Sequence, residues 1–177
     1  MDVLVKHSLP EIEPTIDAAE WRLGEEGRVR CLALAMVLSA YELDGIVSST
    51  EPKAEETARI VGEVLSLEVE LDERLREHDR TGAGWLSMER FEQSVKEAFA
   101  RSSEVVYGGE SIDVARERFA AAAADRSGKA IVSHGTVISA FAAARTGTDP
   151  FKLWGRLGLP SLVVLDGSEV AQVVEEI

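Results

Sequence analysis

The chain predicts an α/β protein, a three-layer α/β/α sandwich with a mainly parallel sheet and an antiparallel edge strand. Three observations predict it. Short apolar runs recur at Val3-Leu4-Val5, Ile46-Val47 and Ala130-Ile131-Val132, as suits central parallel strands covered on both faces. Segments with helical spacing alternate with these runs. The last two strand candidates meet around Asp166-Gly167, a hairpin-type turn signal that places an antiparallel pair at the edge.

Strands are expected at Val3–Lys6, Gly45–Ser48, Glu68–Leu71, Ala130–Ser133, Ser161–Asp166 and Val170–Val174. The first helix is expected from about Glu25 to Tyr41. Val29, Leu32, Ala33, Met36, Val37 and Ala40 recur at helical spacing and form its expected inner face. Glu25 and Glu26 suit its first turn, where the helix dipole favours carboxylates. The second helix runs from about Glu51 to Leu65, with Thr50 as its cap and Pro52 in the first turn. Its expected inner face is Ala54, Thr57, Ala58, Val61 and Leu65. A third is expected over about 87–101 and a fourth over about 111–126, with Gly108-Gly109 punctuating the join. A fifth follows His134, from about Val137 to Ala144. Residues 1–177 read as a single domain. Residues 72–110 break the plain alternation and read as a small insertion over the strand ends.

The chain of 177 residues suits one domain, and its 45% hydrophobic fraction is ordinary for a globular core. A formal charge of −13 argues against nucleic acid or an anionic membrane as partner. It leaves room for a phosphorylated small molecule, because a local pocket can be positive on an acidic protein. Cys31 is the only cysteine, so no internal disulfide is expected, and it reads as a buried thiol. No run approaches the ~18 apolar residues of a membrane span. The chain enters a strand at once, with no signal-peptide pattern. A cytoplasmic protein is expected, as a monomer or homodimer.

The chemistry-bearing residues collect at the strand ends, the edge where α/β folds bind ligands. The first strand ends in Lys6-His7-Ser8 and the fourth in Ser133-His134-Gly135. The second supplies Ser48 and Ser49, with Lys53 in the helix that follows. Arg74, Arg76, Glu77, His78 and Arg80 follow the third. All three histidines fall in these segments. Lysines and helix N-termini bind phosphate. A neutral imidazole can attack phosphorus when a hydrogen bond to its other nitrogen fixes the tautomer. A carboxylic acid kept neutral by its surroundings can protonate the leaving oxygen.

These segments resemble the histidine phosphatase superfamily, also called the phosphoglycerate mutase-like fold. The family pattern runs Arg-His-Gly after a strand, then Ser-Ser-Pro-x-x-Arg-Ala-x-x-Thr-Ala, Leu-x-Glu and Ser-His-Gly. Here the segments are Lys6-His7-Ser8, the stretch from Ser48-Ser49 through Lys53-Ala54 to Thr57-Ala58, Leu75-Arg76-Glu77 and Ser133-His134-Gly135. Gly109-Glu110-Ser111 matches a further family element. Each motif alone is weak; their order over nearly the whole chain is specific.

The resemblance implies a phosphatase acting on a phosphomonoester or phosphohistidine. His7 would be the nucleophile that becomes phosphorylated. Glu77 would be general acid and then base, with Glu73 and Asp79 as lesser candidates. His134 would bind the phosphoryl group, with Lys6, Lys53, Ser8 and Gly135 completing the anion site. Ser49, His78 and Arg80 are expected near the substrate, a phosphorylated small molecule or phosphoprotein. The family chemistry implies no metal and no organic cofactor. Lys6 and Lys53 stand where the family has arginines, and lysine is a point charge rather than a rigid fork. Ser8 stands where the family has glycine. The alternative is therefore a non-catalytic anion- or ligand-binding module on the same fold, with mutase activity a third reading. Trp21, Trp85 and Trp154 are expected to pack the sandwich edge. Met88, Phe91, Val95 and Phe99 are expected to pack a lid on the body or, alternatively, to form a dimer contact.

Overall fold

A single six-stranded sheet organises the chain, and the computed structural model describes every residue except Asp125. The strands are β1 (Asp2–Lys6), β2 (Gly45–Ser48), β3 (Val69–Leu71), β4 (Lys129–Ser133), β5 (Ser161–Asp166) and β6 (Glu169–Val174). Their spatial order is β3-β2-β4-β1-β5-β6. β1, β2, β3 and β4 pair in parallel. β5 runs antiparallel to β1 and turns into β6 at the edge, as the Asp166-Gly167 signal implied. The helices are α1 (Glu25–Leu38), α2 (Pro52–Leu65), α3 (Met88–Ala100), α4 (Ile112–Ala123), α5 (Gly135–Thr146) and α6 (Pro150–Arg156).

The apolar runs are continuous because both sheet faces are covered. Leu4, Val47, Ile131 and Val163 face one way, onto Phe119 of α4, Ile138 of α5 and Leu153 of α6. Val3, Val5, Ile46 and Val132 face the other way, onto Leu34 and Leu38 of α1 and Ala58 and Val61 of α2. Successive strand residues point to opposite faces, so one short run serves two cores. These two cores make the three layers the sequence predicts.

The inner face of α1 differs from the expected one. The helix buries Gly27, Cys31, Leu34, Ala35 and Leu38. Val29, Leu32 and Met36 are exposed. Apolar residues occur on both sides of this helix, so periodicity alone does not choose between them. Gly27 does: a Cβ there would lie 2.0 Å from the Leu9 carbonyl oxygen. Only glycine lets α1 sit directly on the backbone that follows β1.

Two helix starts also differ from expectation. Glu51, not Thr50, is the N-cap residue of α2, and its side chain makes no capping bond. It is turned elsewhere, with consequences described below. α6 was not anticipated, although its start is well marked: Asp149 accepts a hydrogen bond from the Lys152 N–H and Pro150 opens the first turn.

Candidate active site

Three strand ends meet at the centre of the sheet. In the order β2-β4-β1, the segments after β2, β4 and β1 are neighbours. This brings Ser49, His134 and His7 together although they lie far apart in sequence. The His7 and His134 rings stand edge to face, 5.1 Å between centroids.

His7 is fixed from several sides. Its backbone N–H donates to the Ser133 carbonyl at 3.0 Å. Its Nδ1 lies 2.7 Å from the Ser8 carbonyl. A carbonyl only accepts, so Nδ1 carries the proton and Nε2 keeps its lone pair. Burial, then His134 and Lys53, hold the imidazole well below its ordinary pKa. It is therefore neutral near pH 7. The ring is an oriented, neutral imidazole at a pocket wall, a form of histidine that can act as a nucleophile.

His134 is equally enclosed. Its Nε2 lies 2.9 Å from Ser49 Oγ and 3.6 Å from Glu51 Oε1. Burial and then Lys53 lower it well below the ordinary imidazole value, with Glu77 opposing. Gly135 follows at the start of α5 and lines the pocket. A Cβ there would press on Lys6 and Trp154 at 3.3–3.4 Å.

Glu77 sits against the first turn of α5. Oε2 accepts from the Thr136 N–H at 3.2 Å, and Oε1 from the Val137 and His78 N–H groups at 3.3 and 2.9 Å. Arg80 approaches Oε2 at 3.4 Å. Burial works to raise the Glu77 carboxyl, but Arg80, His134 and the His78 N–H outweigh it and hold it below the usual value. A neutral acid was expected from the sequence. The carboxylate is instead ionised, because helix N–H groups and a guanidinium face it.

The two lysines differ. Lys6 donates to the Leu157 carbonyl at 2.6 Å. Burial lowers its pKa to about 8, with Glu77 opposing and Arg80 contributing. Lys53 donates to the Ala18 carbonyl at 2.7 Å and pairs with Glu51 Oε2 at 2.5 Å. The other oxygen of Glu51 accepts from the Glu77 N–H at 2.7 Å. Glu51 thus occupies donors that a phosphoryl oxygen would use. Sequence reasoning missed it; its only signal was an acidic residue two places before a motif cation.

Two expected substrate contacts are elsewhere. Ser8 does not face the pocket. It is fully buried, its hydroxyl donates to the Gly27 carbonyl at 2.7 Å, and its N–H donates to Thr57 Oγ1 at 3.0 Å. It fastens the His7 segment to α1 and α2. Ser49 is also fully buried and serves His134 rather than the pocket. His78 and Arg80 do line the pocket. The His78 ring is tied through Nε2 to the Glu110 carbonyl at 2.8 Å. Arg80 lies over the Phe91 ring at 4.2 Å.

A buried clamp holds the segment that carries Glu77. Arg118 donates to the carbonyls of Arg74, Arg76 and Glu77 and pairs with Glu110 at 2.6 Å. Glu110 also accepts from the Asp79 N–H at 3.0 Å. Nothing in the local sequence marked Arg118, because the carbonyls it holds are more than 40 residues away. Among the described residues no group of three or more His, Cys, Asp or Glu could hold a metal ion.

The model of the histidine phosphatase superfamily, branch 1, matches residues 13–177. The chain belongs to that superfamily. The matched stretch begins beyond His7, so the placement of His7 rests on the geometry above. Among solved structures, Bacillus stearothermophilus YhfR is 25% identical, with a TM-score of 0.72 over 100% of this chain and 98% of that one. A mycobacterial glucosyl-3-phosphoglycerate phosphatase is 24% identical, with a TM-score of 0.73 over 92% and 87%. Phosphoserine phosphatase from Entamoeba histolytica is 16% identical, with a TM-score of 0.70 over 97% and 94%. The last two likenesses establish the fold alone. No curated protein matches the chain significantly in sequence. None of the described helices is long and apolar enough to cross a membrane.

Proposed function

We propose that this superfamily member is a phosphoric monoester hydrolase that works through a phosphohistidine on His7. The observation that carries the reading is the His7 imidazole, neutral, with Nδ1 tied to the Ser8 carbonyl and 5.1 Å from His134. A phosphoryl group between the two rings would meet the Nε2 lone pair of His7. Lys6 and His134 would face its non-bridging oxygens, where charge is stabilised. Lys53 would join once Glu51 gives way. Substrates are phosphorylated small molecules or phosphohistidine.

In the first step a His7 Nε2–P bond forms and the ester P–O bond breaks. The leaving oxygen takes a proton from Glu77. A bound phosphate dianion puts negative charge beside Glu77 and engages the nearby cations, which raises the carboxyl and lets it carry that proton. In the second step water attacks phosphorus, Glu77 takes its proton, and the N–P bond breaks to return neutral His7. A cytoplasmic setting belongs to this reading and agrees with a single cysteine, buried, whose thiol burial raises.

The test is phosphate release from a generic aryl phosphate, compared between wild type and His7→Ala. Turnover lost in His7→Ala supports the reading. Absence of turnover with any phosphoester sinks it and leaves an anion-binding module.

A further inference from the structure

The pocket above His7 is unlike a polyol site. It encloses about 400 Å³, enough for a phosphate with a moderate leaving group. Leu9, Ile12, Trp21, Phe91, Trp154 and Leu159 give it extensive apolar walls, beside the polar Arg76, His78, Asp79 and Arg80. Trp154 is held by Phe91 edge to face at 5.7 Å and by a stacked Phe151 at 5.9 Å. The Trp21 Nε1–H is already committed to the Glu13 carbonyl at 3.0 Å. Trp21 and Trp154 were expected to pack the sandwich edge; both instead line the pocket.

The cations lining the pocket already face carboxylates. Lys53 is paired with Glu51 at 2.5 Å, Arg80 with Glu77 at 3.4 Å and Arg76 with Glu110 at 3.7 Å. Lys6 faces the phosphoryl end. A substrate carboxylate or second phosphate would compete with the carboxylates of these pairs. Large apolar side chains are nevertheless exposed at the mouth, Ile12 at 53% and Met88 at 72%. An exposed apolar rim continuous with an apolar pocket marks a surface built for an apolar ligand.

We propose that the substrate is a phosphate monoester of an apolar alcohol, alkyl or aryl, with roughly six to ten carbons above the phosphate. This rests on the phosphatase reading above and narrows it. Phosphorylated sugars, phosphoglycerate and phosphoserine are poor substrates by the same reasoning. They would leave the apolar walls unfilled and set hydroxyls or a carboxylate against them.

The test uses ethyl, butyl, hexyl and octyl phosphate, whose leaving alcohols are equally basic, with glycerol phosphate and phosphoserine for comparison. kcat/KM is expected to rise about fourfold per added methylene until the pocket is full. Ile12→Asn and Phe91→Ala should each flatten that rise. In parallel, calorimetry with the matching alkylphosphonates reads binding without turnover. Equal affinity for ethyl- and octylphosphonate, or a preference for phosphoserine, overturns the proposal while leaving a phosphatase. Rising phosphonate affinity without turnover of any ester overturns the phosphatase reading and leaves a binding site for apolar phosphates.

Discussion

Replacing Glu51 by Gln should tighten the binding of inorganic phosphate about 30-fold. One Glu51 oxygen takes Lys53 at 2.5 Å and the other takes the Glu77 N–H at 2.7 Å. An incoming phosphoryl group wants the same donors and carries the same sign of charge. Two unit charges 4 Å apart interact by about 4 kcal/mol at an effective dielectric of 20. Rotation of the Glu51 side chain to a distance of about 8 Å would halve that repulsion. The residual penalty of about 2 kcal/mol corresponds to roughly a 30-fold change in affinity. Gln keeps the acceptor for the Glu77 N–H and removes the charge together with the second acceptor that holds Lys53. The assay is competitive inhibition of aryl phosphate hydrolysis by inorganic phosphate at pH 7, repeated by calorimetry. Unchanged or weaker phosphate binding in Glu51→Gln would refute the reasoning. It would mean that the carboxylate aids the anion by orienting Lys53.

Three further outcomes follow from the same geometry. Lys6 has its pKa lowered to about 8, so above that pH the free enzyme loses a positive charge at the phosphoryl site. kcat/KM should therefore fall on an alkaline limb near pH 8, and Lys6→Arg should move that limb upward; an identical limb in both proteins counts against it. Glu77→Gln should cost on the order of 10²–10⁴-fold in kcat/KM with an alkyl phosphate and far less with a nitrophenyl phosphate, whose leaving group needs no proton. Equal losses with both substrates would remove Glu77 from the acid's role. Gly27→Ala would set a Cβ 2.0 Å from the Leu9 carbonyl oxygen, so thermal or urea unfolding should show a loss of about 3 kcal/mol or more. A loss under about 0.5 kcal/mol would show that α1 can shift at little cost.

The residues that the sequence revealed best are those whose neighbours in space are set by the sheet alone. His7 and His134 follow apolar runs that can only be central strands, and strand adjacency then brings them together. The segment carrying Glu77 was legible only through the family pattern, since its charges resemble any surface loop. What was hidden depended on side-chain direction. α1 carries apolar residues on both sides, and a single glycine decides which side faces the sheet. Ser8 stands in the family's phosphate-binding triplet, yet its hydroxyl turns back to the Gly27 carbonyl. Glu51 occupies a cap position but makes no capping bond, and its carboxylate takes Lys53 and the Glu77 N–H instead. Segments 9–20 and 73–85 contribute to the pocket, but the 101–110 segment does not. The unanticipated α6 and the chain after it supply Trp154, Leu157 and Leu159 in its place.

The central claim is covalent, and trapping the covalent species tests it most directly. Wild-type protein mixed with an aryl phosphate and quenched in base should carry one phosphoryl group on the peptide containing His7. The adduct should be stable to base, lost in acid, and absent from His7→Ala. Turnover that survives His7→Ala, or a phosphoryl group found on any other residue, would contradict the account.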